Sequence, residues 1–161
     1  MRLPETRGST VPFDIRDTEQ VPHSNASDPS QPQEIDADLA GDFVSHLGVE
    51  FQEYTGDRVV AHWTAQPKLH QPYGIVHGGV HCSVIETLAS VGAAMWLGDR
   101  GKVVGVNNNT DFYRAVTEGE LVSTATPLHR GRSQQVWLVE TKDNEGKIAA
   151  RGQVRLQNLY S

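Results

Sequence analysis

The stretch Tyr73–Ser90, YGIVHGGVHCSVIETLAS, carries a single formally charged residue, Glu86, in a run that otherwise suits burial. The nearest formal charges on either side are Lys68 and Asp99. A helical pattern runs from about Gly79 to Leu97 and stops at the Gly98-Asp-Arg-Gly101 turn. Steps of 100° around that helix place Val80, Val84, Leu88, Val91 and Met95 on one side, the expected core stripe. Gly79, Cys82, Ser83, Ser90 and Ala93 fall on the other side, around Glu86, and their small side chains leave space beside the carboxylate. An unpaired buried charge costs several kcal/mol, on the order of the net stability of a domain. Two readings of Glu86 follow. It pairs with a distant Arg or with backbone amides as a structural polar group, or it sits in a pocket of low polarity where weak solvation makes it a better base or nucleophile.

On either side of this helix the apolar period changes. Asp36–His46 reads as a short helix with acidic residues in its first turn and Leu39, Phe43 and Leu47 as its apolar stripe. Val49–Tyr54 and Arg58–Thr64 alternate as two strands around a Thr-Gly-Asp turn. Beyond the long helix come four more strand-like runs, Val103–Phe112, Glu120–Arg130, Ser133–Asp143 and Lys147–Leu156. The order helix, two strands, long helix, four strands lacks the alternation that builds a parallel sheet. It predicts an α+β domain over residues 35–161, an antiparallel sheet packed on one main helix.

Residues 1–34 are rich in Pro, Ser, Asp and Gln and poor in large apolar side chains, so they are expected to form a flexible tail in which only the short VPFDI segment could dock. The 161 residues suit one such domain with a core that needs no disulfide or metal. A net charge of −6 and the lack of a basic stripe speak against a nucleic-acid partner. The lone Cys82 rules out an internal disulfide and a CxxC zinc or redox motif, which suits a reducing, cytoplasmic setting. No signal peptide or membrane span is expected, because the most apolar segment is interrupted by His81, Glu86 and several glycines.

The helix start adds a second chemical feature. Gly78 and Gly79 stand where backbone N–H groups have no intrahelical acceptor and where the helix dipole favours negative charge. A Gly pair at a helix start also serves turn geometry, so alone it does not establish an oxyanion site. Gly78 precedes Glu86 by eight residues, which puts the two on the order of 10 Å apart along one helix. One chain does not bring both to the same carbonyl, whereas a symmetric dimer would. His81 and Cys82 make a poor Cys/His pair, since helix neighbours point about 100° apart.

The pattern Gln71-Pro-x-Gly-x-x-His77-Gly78-Gly79, followed by Glu86 and Ser90, resembles the hot-dog-fold acyl-CoA thioesterases, in particular the phenylacetate-pathway and aryl-CoA branch. The resemblance runs from about Leu47 to Leu156. It implies a sheet wrapped around one central helix, acyl-CoA as substrate with no cofactor or metal, and a homodimer or dimer of dimers. Carried over to these positions, Glu86 is the nucleophile or general base, and the Gly78 amide polarises the thioester carbonyl with help from Gln71 of the same, opposite subunit. Ser90 stands where the aryl-CoA branch has Thr and would orient the hydrolytic water, while His77 is expected to position rather than react. The Arg130-Gly131-Arg132-Ser133 turn would approach the CoA phosphates, although such turn arginines are equally often simply solvated. Asn107, Asn108 and Asn109 are unusual in a strand, and Asn108 faces away from the other two, so that either set could line the acyl pocket. With the small residues around Glu86, these asparagines point to an aromatic or hydroxylated acyl group.

Two other functions are weighed against this one. Hot-dog dehydratases or hydratases also carry a helix acid, but pair it with a His in a differently spaced motif that has a Pro-Gly close before the acid. Here His81 stands five residues before Glu86 and no such pair is near. A non-catalytic acyl-CoA-binding module would not need Gln71, Gly78, Glu86 and a hydroxyl at Ser90 together.

Overall fold

The computed structural model describes residues 37–161, with side chains from residue 41 onward, so the expected tail at residues 1–34 lies outside the described residues. Helix α1 (Ala37–Leu47) leads into strands β1 (Glu50–Tyr54) and β2 (Val59–Ala65). Helix α2 (Gly78–Leu97) follows, then β3 (Gly101–Phe112), β4 (Gly119–Arg130), β5 (Gln134–Asp143) and β6 (Ile148–Tyr160). The strands form one antiparallel sheet in the order β1-β2-β4-β5-β6-β3. The predicted α+β architecture of one sheet on one long helix is therefore the observed one.

The turns form where local hydrogen bonding is available. The Thr55 hydroxyl accepts from the N–H groups of Asp57 and Arg58 and closes the β1–β2 turn. The Asp143 carboxylate does the same for Glu145 and Lys147 between β5 and β6. Strict alternation along β5 buries Gln135, Trp137, Val139 and Thr141, and along β6 it buries Gly152, Val154, Leu156 and Asn158. The opposite sheet face is polar and carries the Glu140–Lys142 and Glu140–Arg151 ion pairs.

Two expectations about helix faces need correction. In α1 the chain breaks helical geometry at Gly41 (φ 66°, ψ 165°), which resets the phase of the apolar positions. Val44 and Leu47 point inward, while Phe43 is 62% exposed. In α2 the buried stripe is His81, Val84, Ile85, Leu88, Ala89, Gly92 and Ala93. Val80 and Val91 are only partly buried and Met95 is exposed. The face is rotated because the sheet sets large residues, Trp137 above all, against small helix positions. A Cβ on Gly92 would lie 2.6 Å from the Trp137 ring. Small residues in this helix thus admit the sheet; Ala93 is buried beneath Gln135, which donates to its carbonyl.

Helix α2 with the turn after it is long and apolar enough by composition to cross a membrane, and half of that stretch is buried inside the fold. Strand β3 is an edge strand that leaves Val104, Val106 and Phe112 exposed.

Candidate active site

The α2 start is built by a compact turn. Gln71 N–H donates to the Ile75 carbonyl and its own carbonyl accepts from Gly74, which sits at φ 74°. The chain then enters the helix through His77, the N-cap, whose Nδ1 accepts from Gly79 N–H at 2.8 Å. That bond places the neutral imidazole proton on Nε2. His77 thus satisfies one terminal amide and leaves the preceding one, Gly78 N–H, without an acceptor among the described residues.

Gly78 opens into a hollow of about 540 Å³ that Gln71, His77, His81, Phe112, Tyr113 and Arg114 also line. The Phe112 ring lies against Gly78, where an added Cβ would come within 3.0 Å of it. The sequence pointed to Gln71, His77 and Gly78 but not to Phe112–Arg114. Those residues arrive from the far end of β3 and carry no motif; the only local signal is the aromatic pair beside an arginine.

His81 is a further residue of the hollow. It is 3% exposed, edge-on to Trp63 with ring centroids 5.4 Å apart, and its Nδ1 has no partner. Burial lowers its pKa from 6.5 to about 4. Because the folded state resists protonation, its contribution to stability is complete above about pH 6.5 and is lost as pH falls toward 4. The loss approaches roughly 3 kcal/mol below the folded pKa, since each tenfold drop in proton affinity on folding is worth about 1.4 kcal/mol. Denaturant titrations between pH 7 and 4 should show this slope, and His81→Phe should flatten it; an unchanged slope in the variant would assign the acid sensitivity elsewhere.

Glu86 lies two turns further along α2 and does not line the hollow. The carboxylate expected to be buried is only half-buried. Asn108 Nδ2 donates to Glu86 Oε2 at 3.0 Å and to the Cys82 carbonyl at 3.0 Å. Asn108, one of the two sets of asparagines that could line the acyl pocket, thus faces α2 beside Glu86. Of the other small residues expected around Glu86, Ala93 is buried, Cys82 and Ser83 are half-buried and Gly79 is exposed. Ser90, one turn after Glu86, is half-buried.

The Arg130–Ser133 turn lies at the opposite end of α2. Arg130 donates to the Gly56 carbonyl and to Asp57, both at 2.7 Å, and stands 5.7 Å from the Trp96 ring. Asn158 Nδ2 donates to the Gly131 and Arg132 carbonyls, and Asn158 N–H to that of Ser133. Trp96 follows Gly78 by 18 residues, about 27 Å along a helix, so within one chain this turn does not reach the hollow. Among the described residues no group of three or more His, Cys, Asp or Glu side chains is placed to hold a metal.

The chain separates into an anion-friendly helix start and an acid held elsewhere on the same helix. Comparison with known proteins places that arrangement. The sequence model of the Thioesterase superfamily matches residues 73–150. A putative esterase of Mycobacterium tuberculosis is 53% identical over 120 residues, covering 73% of this chain and 86% of that protein. The proofreading thioesterase EntH of Cronobacter turicensis is 33% identical, covering 70% of this chain and 82% of EntH. The crystal structure of AziG from S. sahachiroi superposes with a TM-score of 0.74 at 56% identity, covering 75% of this chain and 98% of AziG. With the hot-dog sheet and helix already in place, these likenesses make the chain a member of the thioesterase superfamily and a thioester hydrolase.

Proposed function

We propose that the protein hydrolyses acyl-CoA thioesters, without a cofactor, in a site shared by two subunits of a homodimer or dimer of dimers in the cytoplasm. Glu86 of one subunit attacks the thioester carbonyl, directly or through a water it deprotonates. The Gly78 amide and Gln71 of the other subunit receive the charge that develops on the carbonyl oxygen. Direct attack expels the CoA thiolate and leaves a mixed anhydride, which water cleaves to regenerate the carboxylate. Attack by water gives the acid and the thiol in one sequence. Ser90, one turn from Glu86, orients that water, and His77 holds the Gly79 amide so that Gly78 stays open.

The observation that carries this reading is the separation of the two halves. Gly78 and Gln71 share a hollow from which Glu86 is absent, eight residues along a straight helix. An antiparallel pairing of two copies would bring each Glu86 to the other's Gly78. The long edge strand β3, with Val104 and Val106 exposed, offers the unpaired backbone such a pairing uses. The CoA phosphates would meet the Arg130–Ser133 turn only if a neighbouring subunit presents it.

Mixing Glu86→Ala with Gln71→Ala tests the shared site. Each variant alone is expected to be nearly inactive. After subunit exchange at equal amounts, about a quarter of wild-type turnover should return, because half of the dimers are mixed and each has one intact site. Activity no higher than the mean of the two parents would place both residues in one subunit's site and overturn the shared arrangement.

A further inference from the structure

Strand β3 treats Glu86 differently from any other side chain of α2. Asn108 Nδ2 gives one hydrogen to Glu86 Oε2 and the other to the Cys82 carbonyl. Thr110 Oγ1 donates to Asn108 Oδ1 at 2.7 Å. All three polar sites of the amide are thereby fixed. Two acceptors on the helix side admit only the NH₂ group, so the amide has one orientation. The second carboxylate oxygen, Oε1, lies against Gly105, where an added Cβ would fall 2.0 Å from it.

Regular alternation would put residues 105 and 108 on opposite faces of β3. The ladder with β6 is irregular between Gly105 and Asn107, and this bulge turns both toward α2. The bulge, the glycine and the Thr110–Asn108 pair therefore converge on one carboxylate.

We infer that Gly105, Asn108 and Thr110 form a positioning cradle that holds the Glu86 carboxylate in its attacking orientation. This rests on Glu86 being the reactive group. A glutamate has three rotatable side-chain bonds, and an untethered one spends most of its time away from any single attack geometry. The amide fixes Oε2 and leaves Oε1 without a donor among the described residues, so Oε1 is the oxygen that attacks the carbonyl or takes the proton of the attacking water. A neutral amide also orients the anion without bringing a compensating positive charge to it.

The test compares kcat and KM for Asn108→Ala, Thr110→Val, Thr110→Ser and Glu86→Ala. The substrate is whichever of benzoyl-CoA and hexanoyl-CoA the wild-type protein turns over faster. Asn108→Ala should lower kcat roughly tenfold or more with KM within about twofold, the signature of a group that acts in the transition state. Thr110→Val, almost isosteric, should lower kcat several-fold, and Thr110→Ser should recover most of that loss. A raised KM at unchanged kcat in Asn108→Ala would make Asn108 a substrate contact and overturn the cradle. Should Asn108→Ala fail to fold, wild-type kcat in Thr110→Val at an unchanged melting temperature overturns it equally. If Glu86→Ala is inactive while the other variants are unaffected, only the cradle falls. If Glu86→Ala retains turnover, or wild type cleaves neither substrate, the acyl-CoA reading falls with it.

Discussion

Glu86→Gln is expected to lose roughly 10³-fold in kcat while the fold stays intact, within the range that a positioned acid–base or nucleophilic group contributes. The substitution keeps the volume and keeps an oxygen that can accept from Asn108, so the contacts of α2 with β3 survive. What disappears is the anionic oxygen, which can neither attack a thioester carbonyl nor take a proton from water. The half-buried setting favours a clean result, because among the described residues Glu86 makes no ion pair that depends on its charge: its hydrogen-bond partner there is a neutral amide. Thiol release from an acyl-CoA, followed with a chromogenic thiol reagent, measures the loss. A circular dichroism spectrum and melting temperature matching the wild type show that the fold is retained. Turnover within a few fold of wild type would exclude Glu86 as the reactive group and leave it as a structural carboxylate.

The strands and the long helix were legible because each rests on a local period. Alternation in β5 and β6 and the uncharged run of α2 are visible in any window of ten or more residues. The buried face of α2 was not legible. A helical projection weights large apolar residues, whereas the sheet chose small ones, Gly92 and Ala93, as seats for Trp137 and Gln135. That choice depends on side chains more than 40 positions away. The helix-start half of the candidate site was legible as a motif, Gln71 through Gly79, and the structure gathers it in one hollow. The Glu86 environment was legible only in part: Asn108 faces away from Asn107 and Asn109 as alternation predicts, but the approach of Gly105 to the same carboxylate depends on the β3 bulge between Gly105 and Asn107. Arg130 carried the right chemistry for phosphate, but its pairing with Asp57 depends on where the β1–β2 turn lands.

Trp137→Ala should produce the largest loss of stability of any single change, and the reason lies in how α2 is seated. The Trp137 side chain is fully buried on β5, its ring pressed against the bare Cα of Gly92. Truncating a buried aromatic of this size costs about 3–5 kcal/mol through lost contacts and the cavity left behind. A second penalty comes from the indole N–H, which donates to Gln135 Oε1 at 3.0 Å. Gln135 in turn donates to the Ala93 carbonyl and to Asn158 Oδ1, and Asn158 pins the Gly131–Arg132 turn. Removing the indole leaves a buried acceptor unpaired, worth roughly a further 1–3 kcal/mol. The total rivals the 5–15 kcal/mol typical of a whole domain, so the variant is expected to unfold at much lower denaturant or to be recovered aggregated. Gly92→Ala attacks the same contact from the helix side. It gains about 1 kcal/mol of helix propensity but drives a methyl into the ring, which costs about 1–3 kcal/mol, so its net loss is smaller than that of Trp137→Ala. Chemical denaturation of both variants at one fixed protein concentration gives the ordering, since apparent stability depends on protein concentration wherever copies associate. A Trp137→Ala midpoint near that of wild type, or a larger loss for Gly92→Ala, would mean that α2 is seated by other contacts than this ring. Because α2 carries both Gly78 and Glu86, the same ring that stabilises the sheet also seats the helix on which both candidate site residues stand.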